Sequence, residues 1–223
     1  VALITGGTSG IGEATVELFL AQGAKVMIAA RSEEKGQQMV QALGAKAGFV
    51  KTDVTKEADI KGAIDATVSA FGRMDILFNN AGGGTPGELE TVTVENFHYA
   101  MDLMLGSVLF GIKHAAPVMT AQGSGSIIST ASVAGIRVGF APHLYSVAKC
   151  AVIHLTKTVA LELGEHNIRV NAICPGFIAT PLAAGRPDAD ESQIQQLRET
   201  GAASQVMGRA GEPRDIANMA LFL

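Results

Sequence analysis

Tyr145 and Lys149 stand four residues apart, a spacing that puts a phenol and an ammonium on one face of a helix. A free phenol has a pKa near ~10 and is a poor base at neutral pH. An ammonium beside it favours the phenolate, so the pair could pass a proton to or from a substrate oxygen. An exposed helix start can carry the same two residues with no chemistry. A second group, Thr5-Gly6-Gly7-Thr8-Ser9-Gly10-Ile11-Gly12, lies where an apolar run turns into a helical pattern. Glycines there let backbone N–H groups close on an anion at a helix N-terminus, as pyrophosphate binding requires. The spacing is GxxxGxG and not GxGxxG, so an ordinary glycine-rich turn stays open as the alternative.

The elements that must position these groups follow from hydrophobic periodicity. Short apolar runs at 1–5, 25–30, 47–51, 74–78, 125–130 and 168–173 read as strands, with helical patterns at 11–22, 56–71, 101–121 and 144–164. Ser32 can cap the helix after the second strand, with Glu33 and Glu34 in its first turn. Such alternation predicts a single α/β domain over residues 1–223, a doubly wound, mostly parallel sheet with helices on both faces. Ligands of that architecture bind at the carboxyl ends of the strands, where strand order reverses. Asp53 and Asn79-Asn80-Ala81-Gly82 fall at that edge; a helix cap and a polar turn are their plain alternatives. The second strand ends Ala29-Ala30-Arg31, with an Arg and no acid at its tip, which favours NADP over NAD. Two helices, 101–121 and 151–163, are apolar on more than one side, which predicts a subunit interface and a homodimer or homotetramer.

Composition narrows the partners. Of 223 residues 48% are hydrophobic, enough for a sizeable core, while Lys+Arg 17 against Asp+Glu 21 leaves no basic run to track nucleic acid. Cys150 and Cys174 lack metal-ligand spacing and read as two buried thiols, so no metal is expected. No uninterrupted apolar run reaches the roughly 20 residues of a membrane span, and no secretory leader is visible, so the chain is expected to be cytoplasmic. Val1 begins inside a strand-like run and Leu221-Phe222-Leu223 stops within a helical pattern, so the sequence reads as a fragment of a slightly longer domain.

Taken in order, Thr5–Gly12 as TGxxxGIG, Asp53, Asn79–Gly82 as NNAG, Ser132, Tyr145-x-x-x-Lys149, Arg169-Val170-Asn171 and Pro175-Gly176 before Thr180 resemble the short-chain dehydrogenase/reductases, along essentially the whole chain. The resemblance implies a Rossmann fold and hydride transfer between NADP(H) and a secondary alcohol or ketone. Ser132 would hydrogen-bond the substrate oxygen, Tyr145 would transfer the proton, and Lys149 would hold the nicotinamide ribose and tune Tyr145. It also implies cofactor contacts from Gly6, Thr8, Ser9, Gly10, Ile11, Gly12, Arg31, Asp53, Val54, Asn80, Ala81, Gly82, Pro175, Gly176, Ile178 and Thr180.

One position departs from the family. Where many relatives carry an Asn that fixes a water in a proton relay to the lysine, this chain has Met104, which has no donor. Asp102 and Ser107 are the neighbours that could compensate. The substrate wall is expected from 134–143, the 83–90 loop and a flap over 183–205, with Gly135, Ile136, Val138, Phe140 and Phe177 giving it an apolar character. His143 is expected to line the mouth. Two readings compete with a ketone reductase: a 3-oxoacyl-[acyl-carrier-protein] reductase, which would call for a basic patch near Arg137 and Arg186, and a non-catalytic dinucleotide-binding module.

Overall fold

A computed structural model describes residues 1–85, 88–186 and 189–223. The parts of the expected 83–90 wall and 183–205 flap that fall at 86–87 and 187–188 lie outside the described residues. Six strands, β1 (Ala2–Thr5), β2 (Val26–Ala30), β3 (Ala47–Lys51), β4 (Ile76–Asn79), β5 (Gly125–Thr130) and β6 (Ile168–Ile173), form one parallel sheet in the order β3-β2-β1-β4-β5-β6. β1 and β2 are buried at every position, which is why they read as continuous apolar runs rather than alternating ones.

Alternate residues still leave on opposite faces. Leu3, Met27, Leu77 and Ile127 enter the layer made with α3 (Glu57–Phe71), α5 (Ser107–Gln122) and α6 (His143–Leu163). Ile4, Ile28, Phe78 and Ile128 enter the layer made with α1 (Gly10–Ala21), α2 (Glu33–Leu43) and α8 (Pro213–Phe222). Phe78 is fully buried there, a gain of about 1.5–3 kcal/mol by area, and truncating it to Ala would cost about 3–5 kcal/mol. Ser32 caps α2 as expected, its side chain accepting from Lys35 N–H.

Four expectations change. The central helix starts earlier than its apolar pattern suggests: α4 (Val94–Met101) is capped reciprocally by Thr93 and Asn96 and runs through a π-helical turn, Asp102–Gly106, into α5. The widened turn falls at Met104, which is fully buried in the inner layer. Secondly, the flap contains a regular helix, α7 (Glu191–Ser204), started by an Asp190–Gln193 capping box. Thirdly, Cys150 is exposed while Cys174 is partly buried, and both are free. Lastly, Val94–Gln122 and His143–His166 are long and apolar enough by mean hydropathy, 1.3 and 1.2, to cross a bilayer. Polar residues interrupt both, which hides that length when only unbroken runs are sought; in the fold they carry the helices packed on the sheet.

Candidate active site

Strand order reverses between β1 and β4, so the C-terminal ends of these two strands open a crevice. Thr5 closes its floor. Its hydroxyl donates to Phe78 C=O (3.4 Å) and accepts from Asn80 N–H (3.0 Å) and Ala81 N–H (3.1 Å). The Asn80 amide returns a bond to Thr5 C=O (3.2 Å). The NNAG segment is therefore pinned across the reversal point rather than left as a free turn.

Above it the glycine turn leads into α1. A Cβ on Gly12 would stand 2.1 Å from Gly6 C=O and 2.8 Å from the Asn80 amide nitrogen, so no side chain fits. Gly6, at φ 66°, adopts a conformation costly for other residues. Ser9 sits at the N-cap of α1 but makes no side-chain cap bond, leaving the first N–H groups of the helix for an anion. Thr8 is half-buried and Ser9 exposed beside them. Thr180, buried, brings its methyl to 3.3 Å from the position of a Cβ on Gly10, so the segment after β6 closes on the same turn. A pyrophosphate fits this cradle.

An open cleft of about 530 Å³ lies at the ends of β2 and β3, lined by Arg31, Lys51, Thr52, Asp53 and Lys56 among others. Arg31 is exposed on its rim. Asp53 turns its carboxylate onto Thr55, accepting from the Thr55 hydroxyl (2.8 Å) and N–H (3.1 Å), and these bonds, hydroxyl first, hold it below the usual carboxylate range. Val54 is buried and packs into the inner layer. Glu33 is drawn off towards Lys51 (3.7 Å) and leaves the tip of β2 cationic.

Ser132, Tyr145 and Lys149 converge at the other end of the crevice. Ser132 caps a short 3-10 turn, Val133–Gly135, with its hydroxyl accepting from Ala134 N–H (3.1 Å). That turn lies directly on α6: a Cβ on Gly135 would stand 2.7 Å from the Lys149 carbonyl carbon. Gly135 thus sets the separation of serine and lysine. The Tyr145 phenol is partly buried near Ser132; burial pushes its pKa up, and the nearby Ser132 hydroxyl, able to donate to the phenolate, offsets part of that rise. The Lys149 ammonium lies 5.7 Å from the Tyr145 ring centroid, and burial is the larger influence on the phenol. Tyr145 therefore holds its proton at neutral pH. Lys149 is itself 3% exposed, burial pushing its pKa down to about 8, and its ammonium donates to Thr130 C=O at 2.6 Å.

The cofactor run and the lysine meet at Gly82, where a Cβ would be 4.0 Å from Nζ. Pro175 C=O accepts from Val133 N–H (2.9 Å), tying the segment after β6 to the serine turn, and Gly176 lies under the Gln205 side chain. Ile178 packs into the outer layer and bridges Gly211. Phe177 does not face the mouth as expected: it joins Ala179, Ile194 and Ala210 in a small cluster under α7, against Gly201. Ile136, Val138 and Phe140 are exposed beside the mouth, with Arg137 stacked over Phe140 (5.6 Å), and His143 is exposed at the start of α6.

Sequence reasoning missed Thr130 and Cys174. Thr130 acts through its backbone carbonyl, which leaves no mark on residue type. The Cys174 thiol lies beside Ser132 N–H and near Lys149; burial pushes its pKa up and keeps it neutral. Neither proposed substitute for a relay Asn serves at Met104: Asp102 is exposed, and the Ser107 hydroxyl donates to Leu103 C=O of its own helix (2.6 Å).

An anion cradle that meets a partly buried phenol, a buried ammonium and a buried hydroxyl defines a dinucleotide-dependent oxidoreductase. Comparison with known proteins agrees. Residues 6–223 match the family described as enoyl-(acyl carrier protein) reductase. Momilactone A synthase of Oryza sativa subsp. japonica is 42% identical over 226 residues, covering 100% of this chain and 82% of that protein. (+)-Borneol dehydrogenase 2 of Salvia officinalis is 42% identical over 231 residues, with the same coverage of 100% and 82%. The solved structure of a short-chain dehydrogenase/reductase of unknown function from Caenorhabditis elegans, with cofactor, superposes with a TM-score of 0.89 at 30% identity, covering 100% of this chain and 86% of that one. The chain belongs to the short-chain dehydrogenase/reductase family. It is an oxidoreductase acting on CH–OH groups with a nicotinamide dinucleotide.

Proposed function

We propose that the protein interconverts an apolar cyclic or alkyl ketone and its secondary alcohol with NADP(H), Tyr145 transferring the proton. The observation that carries this reading is the gathering of the Ser132 hydroxyl, the partly buried, protonated Tyr145 phenol and the buried Lys149 ammonium at one end of the crevice. The glycine turn, Asn80–Gly82 and Lys149 would hold a nicotinamide dinucleotide, whose ring would supply the hydride chemistry at the carbonyl carbon. Ser132 donates to the carbonyl oxygen and holds it against Tyr145. The phenol then gives its proton to that oxygen as charge develops, so C=O becomes CH–OH. In oxidation the same oxygen returns the proton. Lys149 holds positive charge where the phenolate forms, and burial pushes its pKa down to about 8, so that charge is lost on the mildly alkaline side.

The preference for NADP rests on Arg31 at the cleft rim, with Glu33 engaged by Lys51. The apolar substrate rests on Ile136, Val138 and Phe140 at the mouth. Arg137 is taken up by Phe140, which gives the carrier-protein alternative little to dock on. The exposed apolar side chains Phe97, Tyr99 and Leu109 of α4 and α5 and Val147 and Leu161 of α6 are proposed to bury against a second copy of the chain.

The test is turnover of a panel of ketones with NADPH by the wild type and Tyr145→Phe. Loss of general acid catalysis lowers the rate by about 10²–10⁴ while NADPH affinity stays within about twofold. An unchanged rate removes Tyr145 from the reaction.

A further inference from the structure

The Lys149 ammonium is almost wholly buried and has one hydrogen-bond acceptor among the described residues, the Thr130 carbonyl at 2.6 Å. A buried charge is costly unless its partner is fixed. The partner is held twice: its own peptide's N–H, that of Ala131, donates to Ile173 C=O at 2.8 Å on the β6 side, and the Thr130 hydroxyl donates to the Asn80 amide oxygen at 3.2 Å on the β4 side. The same Asn80 amide donates to Thr5 C=O, and its nitrogen lies 2.8 Å and 3.3 Å from where side chains on Gly12 and Gly6 would begin. One unbroken path therefore runs from ammonium to carbonyl, through one residue to its hydroxyl, and on through Asn80 to the floor of the phosphate turn. Among the described residues, the titratable groups around the ammonium are Tyr145 on α6, at 5.7 Å to its ring centroid, and the neutral Cys174 thiol past β6. The π-helical turn packed on α6 faces it with no charge, because Met104 is apolar and Asp102 is exposed.

We propose that Thr130 is a positioning residue: its hydroxyl, anchored on Asn80, fixes the carbonyl that holds Lys149 and couples occupancy of the phosphate turn to the lysine. The proposal rests on Lys149 serving the reaction described above. Removing the hydroxyl loosens the carbonyl. The ammonium then loses its acceptor, its charged form is less favoured, and its pKa falls below about 8.

Thr130→Val keeps the shape and removes the donor, whereas Thr130→Ser keeps the donor and removes a methyl group. For each, NADPH affinity is read by nucleotide fluorescence, kcat/KM for a ketone is followed from neutral to alkaline pH, and the thermal midpoint is recorded. Thr130→Val is expected to weaken NADPH about three- to tenfold, the size of one net hydrogen bond, and to move the alkaline limb to lower pH. Thr130→Ser is expected to restore both to within about twofold. If the valine variant does not fold, Thr130→Ala against Thr130→Ser reads the same contrast. Unchanged affinity and limb in the hydroxyl-free variant overturn the proposal, as does a serine variant as impaired as the valine one. A wild type that binds NADPH but reduces no ketone sinks the reductase reading alone; the affinity series then decides for or against Thr130.

Discussion

The two ends of the crevice are built on opposite terms. At the phosphate turn, Thr5, Gly12 and Asn80 are locked by close backbone approach and by hydrogen bonds spanning the sheet reversal. At the substrate mouth, Ile136 and Val138 stand 65% and 94% exposed, so no packing dictates their identity. The first end serves a ligand whose shape does not vary, and every atom is constrained. The second is free to change without disturbing the fold, which suits the part of the site proposed to set the substrate. Ser132, Tyr145 and Lys149 lie between them, fixed to the rigid side through Gly135 and Thr130.

Substitutions graded along this axis can break the contrast or sharpen it. Gly12→Val should have the largest effect: the new carbon would overlap Gly6 C=O, abolishing measurable NADPH binding in titration and lowering stability by about 1–3 kcal/mol in urea unfolding. Retained binding would show that the turn is not the cradle. Arg31→Ala should be selective, weakening NADPH about tenfold or more with NADH changed less than twofold, since one charge-assisted contact is lost and nothing is buried. Equal losses for the two nucleotides would remove Arg31 from 2′-phosphate recognition. Val138→Ser should be mildest, shifting unfolding by less than about 0.5 kcal/mol while raising KM for a bulky apolar ketone several-fold. A stability loss as large as that of Gly12→Val would erase the distinction between the two ends.

The same contrast explains how much was legible in the sequence. Parallel strands buried on both faces leave continuous apolar runs, so all six strands and their sheet could be read from 1–5 through 168–173. Glycines at a forced approach and a Tyr–Lys pair on one helical face are marks of residue type, and the crevice was legible through them. What stayed hidden acts through the backbone or through tertiary environment. The Thr130 carbonyl has no signature, the π-helical turn at Met104 breaks periodicity without a proline, and burial raises the Tyr145 pKa where spacing to Lys149 suggests the reverse. Phe177 misled for a similar reason: an aromatic after Pro175-Gly176 reads as a wall, yet Gly201 opens a slot beneath α7 that takes the ring.

Hydride transfer itself is tested most directly with NADPH carrying deuterium on the transferable face of the nicotinamide and an apolar cyclic ketone. Mass spectrometry of the alcohol should find one deuterium on the carbinol carbon for each nucleotide oxidised. Product formed without the label, or nucleotide bound and never oxidised across the ketone panel, would contradict the account.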